Sequence, residues 1–473
     1  AIEQATDVWD FEAKLAAVLD PPESRQDATK LYHLMTVEQL QEFFTDSFNV
    51  VQYLTVLFPD DPVTSTEHVV VYAPNFIHKM GKIVKATPKQ TLANYLVWHV
   101  VVGLVPYMPQ SFELLTLEFR KVFSGTSTAA PQWERCTVRA STSLGFAVGA
   151  LYVDEVYAPS DKMMTEEILQ YIRHTFELSL PGVEWMDEGT RQRAIDKAKA
   201  VKQMIGYPAY IKNAAKLDEH YSKMVVTNSS FDNAINVIKF GVNRNLAKRN
   251  KAPDPTEWSM GPTEVNAYYA PDKNEIVFPA GILSKPFYYP HFPMAINFGA
   301  IGMVMGHELT HGFDNMGRLY DQHGNLDNWW GNESAANFEQ KTQCLVEQYN
   351  QYKVGSDHIN GITTLGENVA DNGGLKTSYR AYHSWLADHA FIDPRDNLPG
   401  LHMTVDQMFF LGFSQMWCTK YTPEFAKQSL TTDVHSYAKY RVIGTLSNMA
   451  EFSMAFQCPI GSPMNPEKKC AVW

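Results

Sequence analysis

The apolar run from Ile301 to Phe313 constrains this 473-residue chain most tightly, because it encloses Gly306-His307-Glu308-Leu309-Thr310-His311-Gly312. On a helix, His307 and His311 lie four apart and project from one face, one above the other. Two imidazole nitrogens so placed can reach a single Zn²⁺ at about 2.0–2.1 Å. Glu308 is rotated roughly 100° from His307, too far round to share the metal easily. It suits a different task, that of general base to the water the metal holds. A buried helix whose histidines only satisfy local hydrogen bonds is the competing reading. The motif set in an apolar helix favours a zinc peptidase.

Such a site needs a third protein ligand and an open position for water. Downstream, Leu365-Gly-Glu-Asn-Val-Ala-Asp-Asn-Gly-Gly374 places Glu367 and Asp371 four apart, on one helix face. Like charges at that spacing destabilise an exposed helix by about 0.2–0.5 kcal/mol, and more when buried. A divalent cation removes the objection. Glu367 is then the third ligand, and Asp371, one turn on, accepts the free ring N–H of a ligating histidine. The plainer alternative is a solvated pair in a first turn, where carboxylates suit the helix dipole.

The formal net charge of −12, with basic residues interspersed among acids, speaks against nucleic acid as a partner. Tyr95 to Val105 is the most apolar candidate for a membrane span, but His99 interrupts it and Pro106 stops it. It is too short to cross and reads as a core helix. The chain starts at Ala1 with Asp7 and Asp10 close by, so any signal peptide or anchor is expected upstream. Five cysteines (Cys136, Cys344, Cys418, Cys458 and Cys470) include no C-x-x-C pair, which argues against a cysteine zinc ribbon or a thioredoxin-like site. With the sequons Asn228-Ser-Ser and Asn332-Glu-Ser, they lean towards an extracellular compartment.

Along the chain, the first two hundred or so residues read mostly as helices. Phe11 to Leu19 is periodic and ends at Pro21-Pro22, and Thr36 with Gln39 forms a capping pattern ahead of a helix to Phe44. His68 to Tyr72 reads as a strand. Pro88 to Val105, Ser111 to Phe123, Glu166 to Leu178 and Asp187 to Ile205 read as further helices. The character changes near residue 230. Glu264 to Ala270, a turn at Pro271-Asp-Lys-Asn274, and Glu275 to Phe278 form a strand–turn–strand pattern. Asp321 to Asn328 is a turn-rich loop, and Ser334 to Gln351 is an amphipathic helix.

The segments V-M-G-H-E-L-T-H-G-F-D, G-E-N-V-A-D-N-G-G and the terminal C-A-V-W resemble the neprilysin and endothelin-converting enzyme family of zinc endopeptidases. The resemblance covers essentially the whole chain. Val265-Asn-Ala-Tyr-Tyr269, Phe278-Pro-Ala-Gly-Ile-Leu283, Asn325-Leu-Asp-Asn-Trp-Trp330, Phe409-Phe-Leu-Gly-Phe413 and the segment from Met464 to Cys470 carry it further. It implies one zinc on His307, His311 and Glu367, with Glu308 as base and Asp371 behind a ligand. In Thr432-Asp-Val-His435 it makes His435 a transition-state donor, and it makes Arg441 a contact to a substrate carbonyl. A lone His435 is otherwise an ordinary structural histidine. Asn266 and Ala267 resemble residues that bind substrate backbone along an edge strand. Met303 and Val304, one turn before His307, join Ile282, Phe287, Met416 and Trp417 in a hydrophobic pocket beside the metal. Helical spacing alone makes each of these ordinary core.

The expected fold is therefore α+β and predominantly helical. Residues 1–235 form a mostly helical lid or connector, and 236–473 a thermolysin-like zinc catalytic domain, the lid enclosing a cavity. The expected function is zinc-dependent endopeptidase action on oligopeptides, on the amino side of hydrophobic residues, with Glu308 activating zinc-bound water. A catalytically inactive peptide-binding protein and a metallo-aminopeptidase are the alternatives. The latter lacks support because Val265 to Tyr269 stands where such enzymes carry Gly-Ala-Met-Glu-Asn. The resemblance also implies a Cys344–Cys470 disulfide. Cys136, Cys418 and Cys458 would then join cysteines of an N-terminal segment of the same polypeptide, in a secreted or type II membrane protein.

Overall fold

The computed structural model describes residues 1–44, 47–389, 398 and 400–473. It is a predominantly helical α+β structure with small sheets, as the sequence implies. Chain contacts divide it into two compact units, Ala1–Arg120 with Tyr221–Asp254, and Lys121–His220 with Pro255–Trp473. A single cut at residue 235 does not reproduce this division.

In the first unit, β1 (His33–Thr36) pairs antiparallel with β2 (His68–Val71), with His33 opposite Val71. The helix Val37–Phe44 starts with the anticipated reciprocal cap: Thr36 N donates to Gln39 Oε1 at 2.8 Å and Gln39 N to Thr36 Oγ1 at 3.2 Å. A small cluster of Val37, Val50 and Val63 is buried beside it. The helix Lys89–Leu104 packs on Ile2–Ala16, where Phe11 meets Tyr95 edge-on at 4.8 Å. The expectation of a core helix here is not met. Thr91 is its only buried residue, and Leu96, Val97 and Val100 are more than three-fifths exposed. Apolar residues ring the helix, and among the described residues most of them stay partly or largely exposed. Among the described residues, no single helix is long and apolar enough to cross a membrane.

The second unit reaches back a hundred residues before the anticipated boundary. The helices Pro159–Ser179 and Glu188–Ala200 bury Ile168, Leu169, Ile172, Phe176, Ala194 and Ala198 in the core that also holds the zinc motif. After Ala200 the chain leaves the helix expected to run to Ile205 and becomes β3 (Lys202–Gly206). The cause is non-local: β3 runs parallel to β5 (Glu275–Pro279), with Lys202 opposite Glu275, and local periodicity carries no trace of that partner. On the far side of β5 lies β4 (Tyr268–Ala270), antiparallel and at the edge of the three-stranded sheet. Only the last three residues of the predicted strand Glu264–Ala270 enter the ladder.

From Met294 the chain is helical, passes through a π turn at Phe298–Gly302, and continues as the motif helix Met303–His311. Ser378 Oγ donates to Phe298 O at 2.6 Å, giving the π turn a partner on the carboxylate helix Leu365–Asp388. The two helices cross where Gly306 meets Gly374. A methyl group on Gly306 would fall 2.6 Å from Gly374 O, and one on Gly374 would fall 2.5 Å from His307 N. Only hydrogen fits there, so the backbones approach closely enough for His307 to face Glu367 and Asp371.

Candidate metal centre

His307, Glu308 and Asp371 are buried, while Glu367 and His311 keep a little exposure. One donor atom each of His307, His311 and Glu367 lies within 4.8 Å of the others. The two Nε2 atoms face each other at 2.9 Å, and Glu367 Oε2 stands 3.2 Å from that of His307 and 3.6 Å from that of His311. Behind them, His311 Nδ1 is hydrogen-bonded to Asp314 Oδ2 at 2.7 Å. His307 Nδ1 lies 2.9 Å from Asp371 Oδ1, close but not aligned for a hydrogen bond. With His311 Nδ1 bonded to Asp314 and His307 Nδ1 beside Asp371, the two Nε2 atoms face one spot, where Glu367 Oε2 is also buried without a hydrogen bond. Three potential electron-pair donors converging on one spot suit a cation. Two imidazoles and a carboxylate match the donor set of a catalytic zinc site.

The electrostatics follow from this crowding. Burial disfavours the charge on Glu367, but His311 and His307 outweigh it and hold the carboxyl well below its ordinary range. Glu308 behaves oppositely. Burial raises its pKa against the pull of His307 and His311, and no described residue hydrogen-bonds it. Burial likewise opposes the charge on Asp371, yet Arg441 keeps it low through paired bonds, Nε to Oδ2 at 2.7 Å and a second nitrogen to Oδ1 at 2.6 Å.

Residues 1–208 and 266–472 each match a model described as peptidase family M13. Rat (Rattus norvegicus) endothelin-converting enzyme 1 is 43% identical over 472 residues, covering 99% of this chain and 61% of its own length. Mouse (Mus musculus) membrane metallo-endopeptidase-like 1 is 40% identical over 486 residues, covering 100% of this chain and 62% of its own. The crystal structure of the zinc metalloprotease Zmp1 of Mycobacterium tuberculosis, in complex with an inhibitor, superposes with a TM-score of 0.90 at 30% identity. The match covers 100% of this chain and 70% of Zmp1. The chain belongs to peptidase family M13. It spans about three-fifths of the length of the curated relatives it matches.

Beyond the three donors, the M13 chain brings His435 to the site. Its Nε2 lies 3.2 Å from Glu367 Oε2, and its Nδ1 is 2.7 Å from Asp433 Oδ1. Arg441 is buried, gripped by Asp371 and stacked 3.9 Å over the ring of Trp417. Ile282, Met303 and Val304 belong to the large apolar core, with Phe287, Met416 and Trp417 packed against it. Met303 is fully enclosed, so any open wall falls to the others. Asn266 and Ala267 just precede the edge strand β4, which packs beside the motif helix. Ala267 is buried, and its N–H donates to Asn266 Oδ1 at 3.0 Å.

Two site residues escaped the sequence reading. Asp314, three residues past His311, holds that ring and accepts from Met316 N and Gly317 N at 2.8 and 2.7 Å. Asp433 orients His435 from two positions upstream, its Oδ1 2.7 Å from Nδ1. Position three beyond a ligand was the available signal for Asp314, but its use depends on a turn that spacing does not specify. The disulfide Cys344–Cys470 forms as the resemblance implies, with Cα atoms 5.6 Å apart. Cys136 and Cys418 are exposed and Cys458 is half-buried, all three as free thiols.

Proposed function

We propose that this chain is a zinc-dependent metalloendopeptidase that cleaves oligopeptides on the amino side of hydrophobic residues. The observation that carries the reading is the convergence of two imidazole nitrogens and one carboxylate, each histidine backed by its own aspartate, beside a buried and unbonded Glu308. His307, His311 and Glu367 would hold one zinc ion. When bound, zinc supplies Lewis-acid polarisation of the scissile carbonyl and acidifies water.

Glu308 then takes the proton of the attacking water and returns it to the departing amide nitrogen. Its carboxylate, buried beside the candidate ligands, is placed to serve both halves of that transfer. His435, fixed by Asp433, donates to the oxygen on which negative charge develops. Asp371 takes two corners of the Arg441 guanidinium and Trp417 takes its face, which leaves the remaining nitrogen to meet a substrate carbonyl. Asn266 and Ala267 align the substrate backbone along the edge strand. Ile282, Phe287, Val304, Met416 and Trp417, with the enclosed Met303 packed behind them, select the hydrophobic side chain, worth about 1.5–3 kcal/mol if it is fully buried.

The three free thiols would pair with cysteines of a further N-terminal segment of the same polypeptide, in an extracellular glycoprotein, secreted or anchored as a type II membrane protein. The greater length of the relatives and the exposure of Cys136 and Cys418 support this. Mass spectrometry of a digested peptide library tests the main reading. Internal cuts before apolar residues are expected. One-residue trimming would make it an aminopeptidase, and untouched peptides with bound zinc would make it a binding protein.

A further inference from the structure

Lys197 stands 110 positions upstream of the first motif histidine and outside every motif that points to the site. It sits on the helix Glu188–Ala200 and is only 1% exposed, a rare state for a lysine. Its Nζ donates to the carbonyls of Gly312, Gly317 and Tyr320, each at 2.7 Å. Three acceptors need three hydrogens, which only the ammonium form has. Burial pushes its pKa down to about 7, against the pull of Asp314 and Asp321. The rings of Phe313, Tyr269 and Trp329 surround the cation at 5.4, 5.8 and 5.9 Å. All these groups belong to the second compact unit.

The three carbonyls are not scattered. Gly312 caps the motif helix directly after His311, where backbone acceptors have run out of helical donors and the helix dipole is negative. Gly317 and Tyr320 close the loop that follows. Between Gly312 and Gly317 lies Asp314, whose one carboxylate oxygen takes His311 Nδ1 and whose other takes two loop N–H groups. Asn274 clamps the same pair of segments, donating to Lys197 O and Gln322 O at 3.2 Å each. The ammonium therefore pins the chain on both sides of the residue that aims a candidate ligand.

We propose that Lys197 is a positioning residue for the metal centre: it fixes the loop that carries Asp314, and through Asp314 the ring of His311. The inference rests on the zinc site proposed above. Loss of the tether should leave the three donors in place while letting His311 turn, so the effect appears as weaker metal retention.

The test is zinc affinity and the rate of zinc loss to a competing chelator, measured on the 473-residue chain well below its melting temperature. Lys197→Met keeps the length and removes the donors. It should bind zinc more weakly, by up to about the 10–100-fold expected when the group directly behind a ligand is lost. Its activity should return in excess zinc with KM unchanged. Asp314→Asn should weaken zinc similarly, and the double variant should be no worse than the worse single variant. Lys197→Gln, which keeps two N–H donors, should fall between Met and wild type and serves if the Met variant does not fold. A lowered melting temperature with wild-type zinc affinity overturns the proposal. So does an additive double variant, or collapse of both Lys197 variants, because Lys197 would then act on the whole unit. His311→Ala is the control for the site itself. If wild type and His311→Ala bind zinc alike, the metal site is wrong whatever Lys197 does.

Discussion

The motif helix Met303–His311 and the helix Lys89–Leu104 are both rich in apolar residues and lack a clean polar face. Every residue of the first from Met303 to Thr310 is buried, whereas the second buries only Thr91. Hydropathy states how much surface a segment would gain by being covered. It does not state whether the rest of the chain supplies the cover. Around the motif helix the cover is built from glycines that let a second helix lie against it, a π turn held by Ser378, and a sheet edge. On Lys89–Leu104, Tyr95 takes an edge-on aromatic contact from Phe11 of Ile2–Ala16. The polar atoms tell the same story: the motif region encloses His307, Asp371 and Arg441 together with their partners, while Glu308 is buried beside them without a hydrogen bond from a described residue.

The largest expected effect lies in the buried region. Glu308→Gln should lower kcat/KM by roughly 10²–10⁴-fold while zinc content and melting temperature stay near wild type, because the change is nearly isosteric and spares the donors. Near-normal hydrolysis by this variant would remove Glu308 from the mechanism. Next is Asp371→Ala, which strips the group behind His307 and leaves Arg441 buried beside Trp417 without its partner. Zinc affinity should fall about 10–100-fold, with a stability loss of about 3–5 kcal/mol from the orphaned cation. Denaturant melts and chelator competition read the two effects separately. Lost stability at unchanged zinc affinity would assign Asp371 to Arg441 alone.

Smaller still is Gly374→Ala at the crossing. The added methyl meets His307 N at 2.5 Å, and backbone cannot step aside as a flexible side chain would. Overpacking of about 1–3 kcal/mol is expected, with weaker zinc binding as the helices part. A variant as stable as wild type would mean that the close approach is not needed to bring the ligands together.

These sites were legible in the sequence to the extent that their geometry is local. His307 with His311, and Glu367 with Asp371, repeat at four residues, and any helix turns that spacing into a shared face. The Thr36–Gln39 cap was readable for the same reason. Asp314 depends on a turn after the helix. Lys197 depends on a helix more than a hundred residues away in sequence docking on that turn, and no spacing rule encodes it. The strand Lys202–Gly206 was read as helix because its partner, β5, begins some seventy residues later. The contact division differs from a cut at 235 for a similar reason: residues 121–220 join the second unit through side chains whose partners lie far downstream.

The smallest effect carries the sharpest sign. Val97 is 61% exposed and Val100 62% exposed, each on the helix Lys89–Leu104. A β-branched side chain loses rotamer freedom against the preceding helical turn, so alanine is the better helix former by up to about 0.7 kcal/mol. If the residues are as uncovered as they stand, Val97→Ala and Val100→Ala remove little buried surface. Each should then stabilise the 473-residue chain by a few tenths of a kcal/mol, about the scale set by helix propensity. If the helix is instead a core element, as its hydropathy alone suggests, each change deletes two buried methyl groups at about 0.8 kcal/mol apiece before any cavity cost. Both variants would then destabilise. The two outcomes differ in direction and not only in size, so urea unfolding of the two single variants beside wild type separates them. A midpoint shifted upward keeps the contrast between the two helices, and a downward shift in both would show that the helix is covered after all.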